Sequence, residues 1–224
     1  MVKRVFSILN MRSTDAEVTT RARIRDAAIT LFGQRGFAAG TVRDIAARAG
    51  VSPGLVIHHF GSKAALRRAC DAHVLDTARA TAASSNDPGL LRDGLAEYLA
   101  RPDEHARELA YIRRSVIDDS AAGDAFFDAY VRLTEQILAE GVRAGTMRPV
   151  GDPLATAAWM VANSLGLLVL GRHVARSLGH EEFGTGTVNR VAGPAVELYT
   201  HPLYTDDSFL QATRDVVSDA ATGR

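Results

Sequence analysis

Apolar residues recur at helical spacing along most of this chain. The first stripe follows the spacing i, i+3, i+4, i+7 and i+8 and consists of Ile24, Ala27, Ala28, Leu31 and Phe32. Residues at this spacing lie on one face of an α-helix. The stripe therefore predicts an amphipathic helix from about residue 20 to residue 35.

Two short helices around a tight turn are predicted next. Thr41, followed three residues later by Asp44, is typical of the capping box that starts a helix. Gly50 suits the left-handed conformation that ends one, while Ser52 and Pro53 are a favoured N-cap and first helical residue. The inward positions of the two helices are Val42, Ile45, Ala46 and Ala49 in the first, and Val56 and Phe60 in the second.

The remainder of the chain repeats one pattern, in which a cap opens an apolar-rich helix and a glycine or proline ends it. After a helix capped by Ser62, such segments begin at Pro88, Pro102, Asp124, Leu154 and Val188, and a last one spans about 209–220. No segment alternates apolar and polar residues between hairpin signals. The sequence therefore predicts an all-α protein.

Residues 20–75, in the N-terminal third of the chain, resemble a known family. A helix, a short glycine-containing turn and a second short helix is the arrangement that places the second helix in the major groove of DNA. Residues 20–75 resemble the N-terminal DNA-binding domain of the TetR family of transcriptional regulators. The resemblance lies in Ala27-Ala28, Leu31-Phe32, Gly36-Phe37, Thr41-Val-Arg-Asp-Ile-Ala46, Ala49-Gly-Val-Ser52, His58-His-Phe60 and Ser62-Lys63.

The resemblance implies an organisation in two domains. Residues 20–75 are expected to form a three-helix, helix-turn-helix DNA-binding domain, whose linking helix continues to about residue 83. Residues 84–224 are expected to form a helical ligand-binding and dimerisation domain. Residues 1–19 are predicted to be a flexible tail, and the natural start is either Met1 or Met11.

The expected DNA contacts lie on and beside the second short helix. They are Thr41, Val42, Arg43, Ser52, Pro53, Gly54, Leu55, Ile57, His58, His59 and Lys63. The helix starts after Thr41 and Ser62 present free N–H groups, which with Arg43 and Lys63 suit phosphate. The family usually has Thr where this chain has Leu55 and Tyr where it has Ile57, so Ile57 is expected to contact a thymine methyl group instead of a phosphate.

Charge is unevenly distributed although the chain has no formal net charge. Residues 1–63 carry 10 Lys and Arg against 4 Asp and Glu, a net of +6, which leaves 16 against 22, a net of −6, for the remainder. A basic head on an acidic body is typical of a DNA-binding protein. Arg21, Arg23 and Arg25 lie near the predicted start of the first helix, where they would oppose the helix dipole, and this position favours nearby phosphates.

The segment 154–170 is apolar on nearly every face, which is compatible with a membrane span, a buried core helix or a subunit interface. Thr156, Asn163 and Ser164 interrupt it, and amphipathic helices flank it, so no membrane association is expected. The family forms a homodimer through its eighth and ninth helices. The interface residues that this implies are Leu167, Leu170, Val188, Val191, Ala192, Ala195, Val196 and Tyr199.

Aromatic and polar residues on otherwise apolar helices are candidates for an effector site. They are Tyr98, Tyr111, Phe127, Tyr130, Trp159, Met160 and Asn163. Such residues could line a cavity for a small, mostly hydrophobic molecule, although aromatic residues at helical spacing also fill ordinary cores.

The sequence contains no recognisable catalytic set, phosphate-binding loop or metal-ligand spacing, so no catalytic residue, metal or cofactor is predicted. Asp118 and Asp119, after Arg113 and Arg114, indicate a solvated, charge-paired surface. The single Cys70 fits a reducing cytoplasm. The prediction is a dimeric repressor that binds palindromic double-stranded DNA and is released by a small-molecule effector. A ligand-independent regulator, a protein-interaction module and a small helical enzyme are the alternatives.

Overall fold

The computed structural model describes residues 2–83, 87–201 and 203–222, and it describes side chains over 19–80, 87–97, 99–101, 105–201 and 203–220. Within these ranges the chain forms eleven helices and no strand. They are α1 (Val2–Ala39), α2 (Val42–Ala49), α3 (Pro53–Phe60), α4 (Lys63–Ala83), α5 (Pro88–Ala100), α6 (Pro102–Val116), α7 (Ala121–Ala144), α8 (Pro153–Val169), α9 (Gly171–Ser177), α10 (Thr185–Thr200) and α11 (Ser208–Thr222). The predicted all-α class is confirmed.

The first helix begins earlier than its apolar stripe indicates. Its backbone is helical from Val2, so the predicted tail over residues 2–19 continues the helix. Residues 2–32 contain no glycine or proline, which removes the strongest reasons for a helix to stop. Gly36, at φ 81° and ψ 168°, interrupts the helical backbone close to the predicted end at Arg35.

The chain divides into two compact units, Met1–Gly171 and Arg172–Arg224. The first unit holds α1 to α8. In it α1 packs against α2, α4 and α6, and α7 packs against α4, α6 and α8. The close approach of α1 to α6 depends on Gly33, where a Cβ atom would lie 3.0 Å from the backbone nitrogen of Tyr111.

One continuous hydrophobic core fills the first unit. The predicted stripe of α1 is buried in full, and it packs with buried residues from the neighbouring helices. These include Ile45, Ala46, Val56, Phe60, Leu66, Cys70, Val74, Tyr111, Phe126, Ala157, Val161 and Leu165. Burial of each large apolar side chain stabilises the fold by roughly 1.5–3 kcal/mol, so this shared core fixes the positions of α2 and α3.

The second unit contains α10 and α11, whose apolar spacing the sequence analysis predicts, and α9, which it misses. The short α9 begins at Gly171 and spans only Gly171–Ser177, so neither a cap residue nor a repeated apolar stripe marks it in the sequence. α10 continues through Pro194, which lacks the N–H group of a regular helical residue.

Candidate nucleic-acid interface

The start of α2 is fixed by a capping box. The backbone N–H of Asp44 donates to Oγ1 of Thr41 at 3.1 Å, and Oγ1 of Thr41 donates to Oδ2 of Asp44 at 2.7 Å. The Thr41 hydroxyl group, together with the Thr41 backbone N–H, which donates to Oδ2 of Asp44 at 3.4 Å, holds the pKa of the Asp44 carboxyl below its usual value. The predicted capping box is therefore confirmed, and it aligns the first turn of α2.

The turn between α2 and α3 has the predicted chemistry. Gly50 adopts the left-handed conformation, with φ 67° and ψ 38°, and its N–H bonds back to the last turn of α2. Oγ of Ser52 accepts a hydrogen bond from the N–H of Leu55 at 3.2 Å, and Pro53 is the first residue of α3. The left-handed Gly50 and the N-cap Ser52, with only Val51 between them, let α3 leave the turn at a fixed angle to α2.

The side of α3 away from the core is accessible along its whole length. Val56 and Phe60 are buried, whereas Pro53, Gly54 and His58 are exposed. Ile57 has 43% of its surface exposed, and Leu55 and His59 are half-buried. The accessible face thus combines an aliphatic side chain with imidazole groups, which can contact a thymine methyl group and hydrogen-bond to bases or phosphates.

The predicted phosphate contacts flank α3 at the starts of two helices. Thr41 and Arg43 are exposed at the start of α2, and Val42 is half-buried against the core. At the start of α4, Nζ of Lys63 donates to the carbonyl oxygen of Ala38 at 3.2 Å and lies 6.0 Å from the centre of the Phe32 ring. Lys63 therefore ties α4 to the end of α1, a contact that the sequence analysis does not predict.

The three arginines of α1 do not lie at the start of the helix, as the sequence predicts, but farther along it. Because the helix begins at Val2, Arg21, Arg23 and Arg25 lie near its middle and do not oppose its dipole. The guanidinium carbon of Arg21 lies 5.0 Å from the centre of the Phe60 ring, and Nη2 of Arg25 lies 2.9 Å from the Asp26 carboxylate. Intramolecular partners account for two of these charges.

A network of polar contacts connects the DNA-binding segment to α6. The sequence alone does not predict these contacts. The Arg67 guanidinium on α4 stacks on the Phe37 ring, with its carbon 3.5 Å from the ring centre. Its Nη2 atom lies 2.7 Å from Oδ2 of Asp118. Asp118 is thus paired across helices and is not simply part of a solvated surface, whereas Asp119 is exposed.

Tyr111, one of the predicted effector residues, completes this network from the core. Its side chain is fully buried, and its hydroxyl group donates to Oδ1 of Asp71 at 2.6 Å. Burial raises the pKa of the Asp71 carboxyl, and burial together with Asp71 raises the pKa of Tyr111 above its usual value. Tyr111 therefore stays protonated as a hydrogen-bond donor that fixes α6 to α4.

The other predicted effector residues separate into two groups. Phe127, Tyr130 and Met160 are half-buried and pack against the core. Trp159 has 61% of its surface exposed, and Asn163, which is also exposed, donates from Nδ2 to the Trp159 carbonyl oxygen at 2.9 Å. The side chain of Tyr98 lies outside the described residues. Trp159 and Asn163 are therefore accessible to solvent, whereas the other described members of the predicted set are buried or half-buried.

Two described cavities lie elsewhere in the first unit. One, of about 410 Å³, is lined by residues of α1 and α4 with Phe60, and includes Arg21, Arg25 and His73. The other, of about 170 Å³, is lined by residues of α4 and α7, among them Arg79 and Leu133. None of the predicted effector residues lines either of these two cavities.

The predicted interface residues are accessible to different extents. On α8, Leu167 is half-buried and Leu170, which follows the helix, is 54% exposed. On α10, Val196 and Tyr199 are 53% and 52% exposed. The remaining predicted residues on α10, which are half-buried, are Val188, Val191, Ala192 and Ala195.

Within the described ranges, no group of three or more His, Cys, Asp and Glu residues is arranged to hold a metal ion. No single described helix has both the length and the apolar composition of a membrane span, although α8 and α9, taken together as a bent pair, meet those criteria.

Comparison with known proteins agrees with the helix-turn-helix geometry. The family "Bacterial regulatory proteins, tetR family" matches residues 24–70, and the family "Tetracyclin repressor-like, C-terminal domain" matches residues 103–205. The HTH-type transcriptional regulatory protein RaaS of Mycobacterium tuberculosis is 37% identical over 215 residues, which cover 90% of this chain and 94% of RaaS.

Solved structures show the same fold. A TetR-family transcriptional regulator from Rhodococcus sp. superposes with a TM-score of 0.60 at 27% identity, over 80% of this chain and 97% of that one. SmeT, the repressor of the Stenotrophomonas maltophilia multidrug efflux pump SmeDEF, superposes with a TM-score of 0.52 at 25% identity, over 70% of this chain and 80% of SmeT. From the helix-turn-helix geometry, both family matches and the similarity to RaaS along nearly its whole length, this chain belongs to the TetR family of transcriptional regulators.

Proposed function

We propose that this chain represses transcription by binding a palindromic operator as a homodimer, and that a small, mostly hydrophobic effector releases it. The observation that carries the proposal is the accessible outer face of α3, held by the buried Val56 and Phe60 and presented by the Gly50 turn. The similarity to SmeT, a repressor, supports the negative sense of regulation.

DNA recognition divides between α3 and its flanking helix starts. Ile57 and His58, with Pro53 and Gly54 close to the backbone, contact base edges in the major groove, with Leu55 at the flank. Backbone N–H groups at the starts of α2 and α4 contact phosphates. The side chains that also contact phosphates are those of Thr41, Arg43, Ser52, His59 and Lys63. The excess of six positive charges in residues 1–63 attracts this surface to DNA.

Dimerisation places two copies of α3 on successive turns of the same face of the duplex. Two-fold symmetry of the protein requires a palindromic operator whose half-sites lie roughly 34–36 Å apart. The exposed residues of α8 and of α10 supply the interface. Trp159 belongs to this surface because it shares the exposed side of α8 with Asn163, and the exposed Leu170 directly follows the helix.

The effector site lies beside Phe127, Tyr130 and Met160, on the packed helices α7 and α8. Burial raises the pKa of Tyr130 to about 12, so its hydroxyl group is neutral and can donate to an effector near neutral pH. An effector that separates these helices also strains the contacts of α6 with α4, through Tyr111–Asp71 and Arg67–Asp118. Because the effector binds one position of α4 more tightly than the other, it shifts the population toward that position and lowers the affinity of the protein for DNA.

Selection of DNA from a random-sequence pool tests this function. The purified chain is incubated with the pool at two salt concentrations, and the retained duplexes are sequenced. Enrichment of a two-fold symmetric sequence at both concentrations is expected. Retention that is lost at the higher salt with no enriched sequence would show nonspecific electrostatic binding and would contradict the proposal.

A further inference from the structure

The last helix exposes nearly all of its large apolar side chains. On α11, Phe209, Leu210, Val216 and Val217 are 60%, 49%, 70% and 63% exposed. Their spacing of i, i+1, i+7 and i+8 places them on one face, opposite Gln211 and Ser218. α11 is therefore an amphipathic helix whose apolar face meets solvent in a single chain.

The segment before α11 extends this surface. Leu203 and Tyr204 are 80% and 59% exposed, and the Tyr204 ring stacks on the Phe209 ring with a centroid distance of 4.2 Å. Together the six residues form a surface that we name the C-terminal apolar segment, composed of Leu203, Tyr204, Phe209, Leu210, Val216 and Val217. At these exposed fractions the segment presents roughly 700 Å² to solvent, close to the ~800 Å² that each partner contributes to a standard interface.

The second unit has little core of its own to hold such a helix. Among its described side chains, only Ala175 and Thr187 are buried. A helix of 15 residues is marginal in water without packing of its apolar face, and a unit of this size needs further burial to be stable. The apolar face of α11 therefore needs a covering surface of comparable area.

The family resemblance does not account for this surface. The match to the C-terminal family domain ends at residue 205, and α11 spans Ser208–Thr222. Of the stacked pair, Tyr204 lies within the match and Phe209 lies beyond it.

We propose that the C-terminal apolar segment packs against the same segment of a second copy of this chain, around a two-fold axis. The inference rests on the homodimer proposed above and extends it, because it adds α11 to the residues that hold the subunits together. An isologous contact needs no other partner, since one patch meets its own copy, and the area matches what a stable dimer requires.

Two double variants test the contact by sedimentation equilibrium. Val216→Asp with Val217→Asp places two carboxylates on the apolar face, and Gln211→Asp with Ser218→Asp places the same number on the opposite face. Because all four positions are exposed, neither change disturbs the core of the single chain. The first variant is expected to raise the dimer dissociation constant at least about 100-fold, and the second less than about threefold.

The outcomes separate this inference from the proposed function. If the Val216 and Val217 variant dimerises like the wild type, the contact is refuted, while the homodimer itself stands. If that variant instead lowers the unfolding midpoint without changing the dissociation constant, α11 packs on its own chain and the inference is also wrong. A monomeric wild-type chain would refute the homodimer and the contact together.

Thiol labelling gives a second measurement on the same face. Cys70 is buried, and burial raises the pKa of its thiol, so a cysteine introduced at an exposed position is the reactive one. Val217→Cys is expected to react with a maleimide at least tenfold more slowly above the dimer dissociation constant than below it. Ser218→Cys should react at the same rate at both concentrations, and equal behaviour of the two variants would overturn the inference.

Discussion

Lys63 holds α4 to α1 and is proposed to contact a phosphate, and two measurements on one variant can separate these two roles. Its Nζ atom donates to the Ala38 carbonyl oxygen at 3.2 Å, which uses one of the three N–H donors of the ammonium group. The other donors can reach a phosphate at the start of α4. Lys63→Met keeps most of the aliphatic stem and removes both the hydrogen bond and the charge.

The two losses have different magnitudes and different signatures. Loss of the bond to Ala38 should lower the free energy of unfolding by about 0.5–1.5 kcal/mol, which corresponds to roughly 1–6 °C in midpoint for a chain of this size. Loss of one phosphate contact per subunit should reduce the slope of log affinity against log salt by about 1.8 for a dimer. Between 50 and 200 mM salt, the variant should therefore lose about tenfold less affinity than the wild type.

Fluorescence anisotropy on the selected operator, over that salt range, measures the slope, and urea unfolding measures the stability. Arg43→Gln is the matched control, because Arg43 is exposed at the start of α2 and its loss should reduce the slope without lowering stability. A Lys63→Met protein that unfolds more easily but keeps the wild-type salt slope would refute the phosphate contact. Lys63 would then serve only to hold α4 to α1.

Four further substitutions, one of them a control, test the proposed roles of Ile57, Tyr111 and Trp159. Ile57→Ala should relax the preference at one base position per half-site by about 1–3 kcal/mol, measured by competition with single-base variants, and uniform weakening would instead indicate a structural role. Tyr111→Phe should lower the free energy of unfolding by about 1–3 kcal/mol, because the half-buried Asp71 carboxylate loses its donor. Tyr130→Phe, whose hydroxyl group makes no hydrogen bond within the described residues, should cost under about 0.5 kcal/mol, and equal effects of the two substitutions would contradict the network. Trp159→Ala should weaken dimerisation in sedimentation equilibrium and leave binding of the hydrophobic dye 1-anilinonaphthalene-8-sulfonate unchanged, and the reverse result would return Trp159 to the effector site.

The sequence predicts the DNA-binding segment well because its determinants are local. The Thr41–Asp44 capping box, the left-handed Gly50 and the Ser52 cap each join residues no more than four positions apart. The period of the apolar stripe in α1 likewise identifies the buried face directly. Such signals depend only on residue type and spacing.

The sequence predicts the long-range contacts poorly. Lys63 bonds to a carbonyl 25 residues away and Tyr111 to a carboxylate 40 residues away, and no spacing rule connects them. The predicted effector residues show the same limit, because an aromatic residue at helical spacing can be buried like Tyr111 or exposed like Trp159. Only the packing of neighbouring helices decides between these positions.

The central claim is that two copies of α3 lie in the major groove of a palindromic operator. Position-directed DNA cleavage tests this claim most directly. A His58→Cys chain, in which Cys70 stays buried, carries an iron chelate on the outer face of α3 and is bound to the selected DNA. The account predicts cleavage at two symmetric positions, one in each half-site, separated by roughly one helical turn, with no cleavage near the operator centre from a chelate at Ser218→Cys. Cleavage that is absent, or spread evenly along the duplex with the chelate on α3, would contradict it.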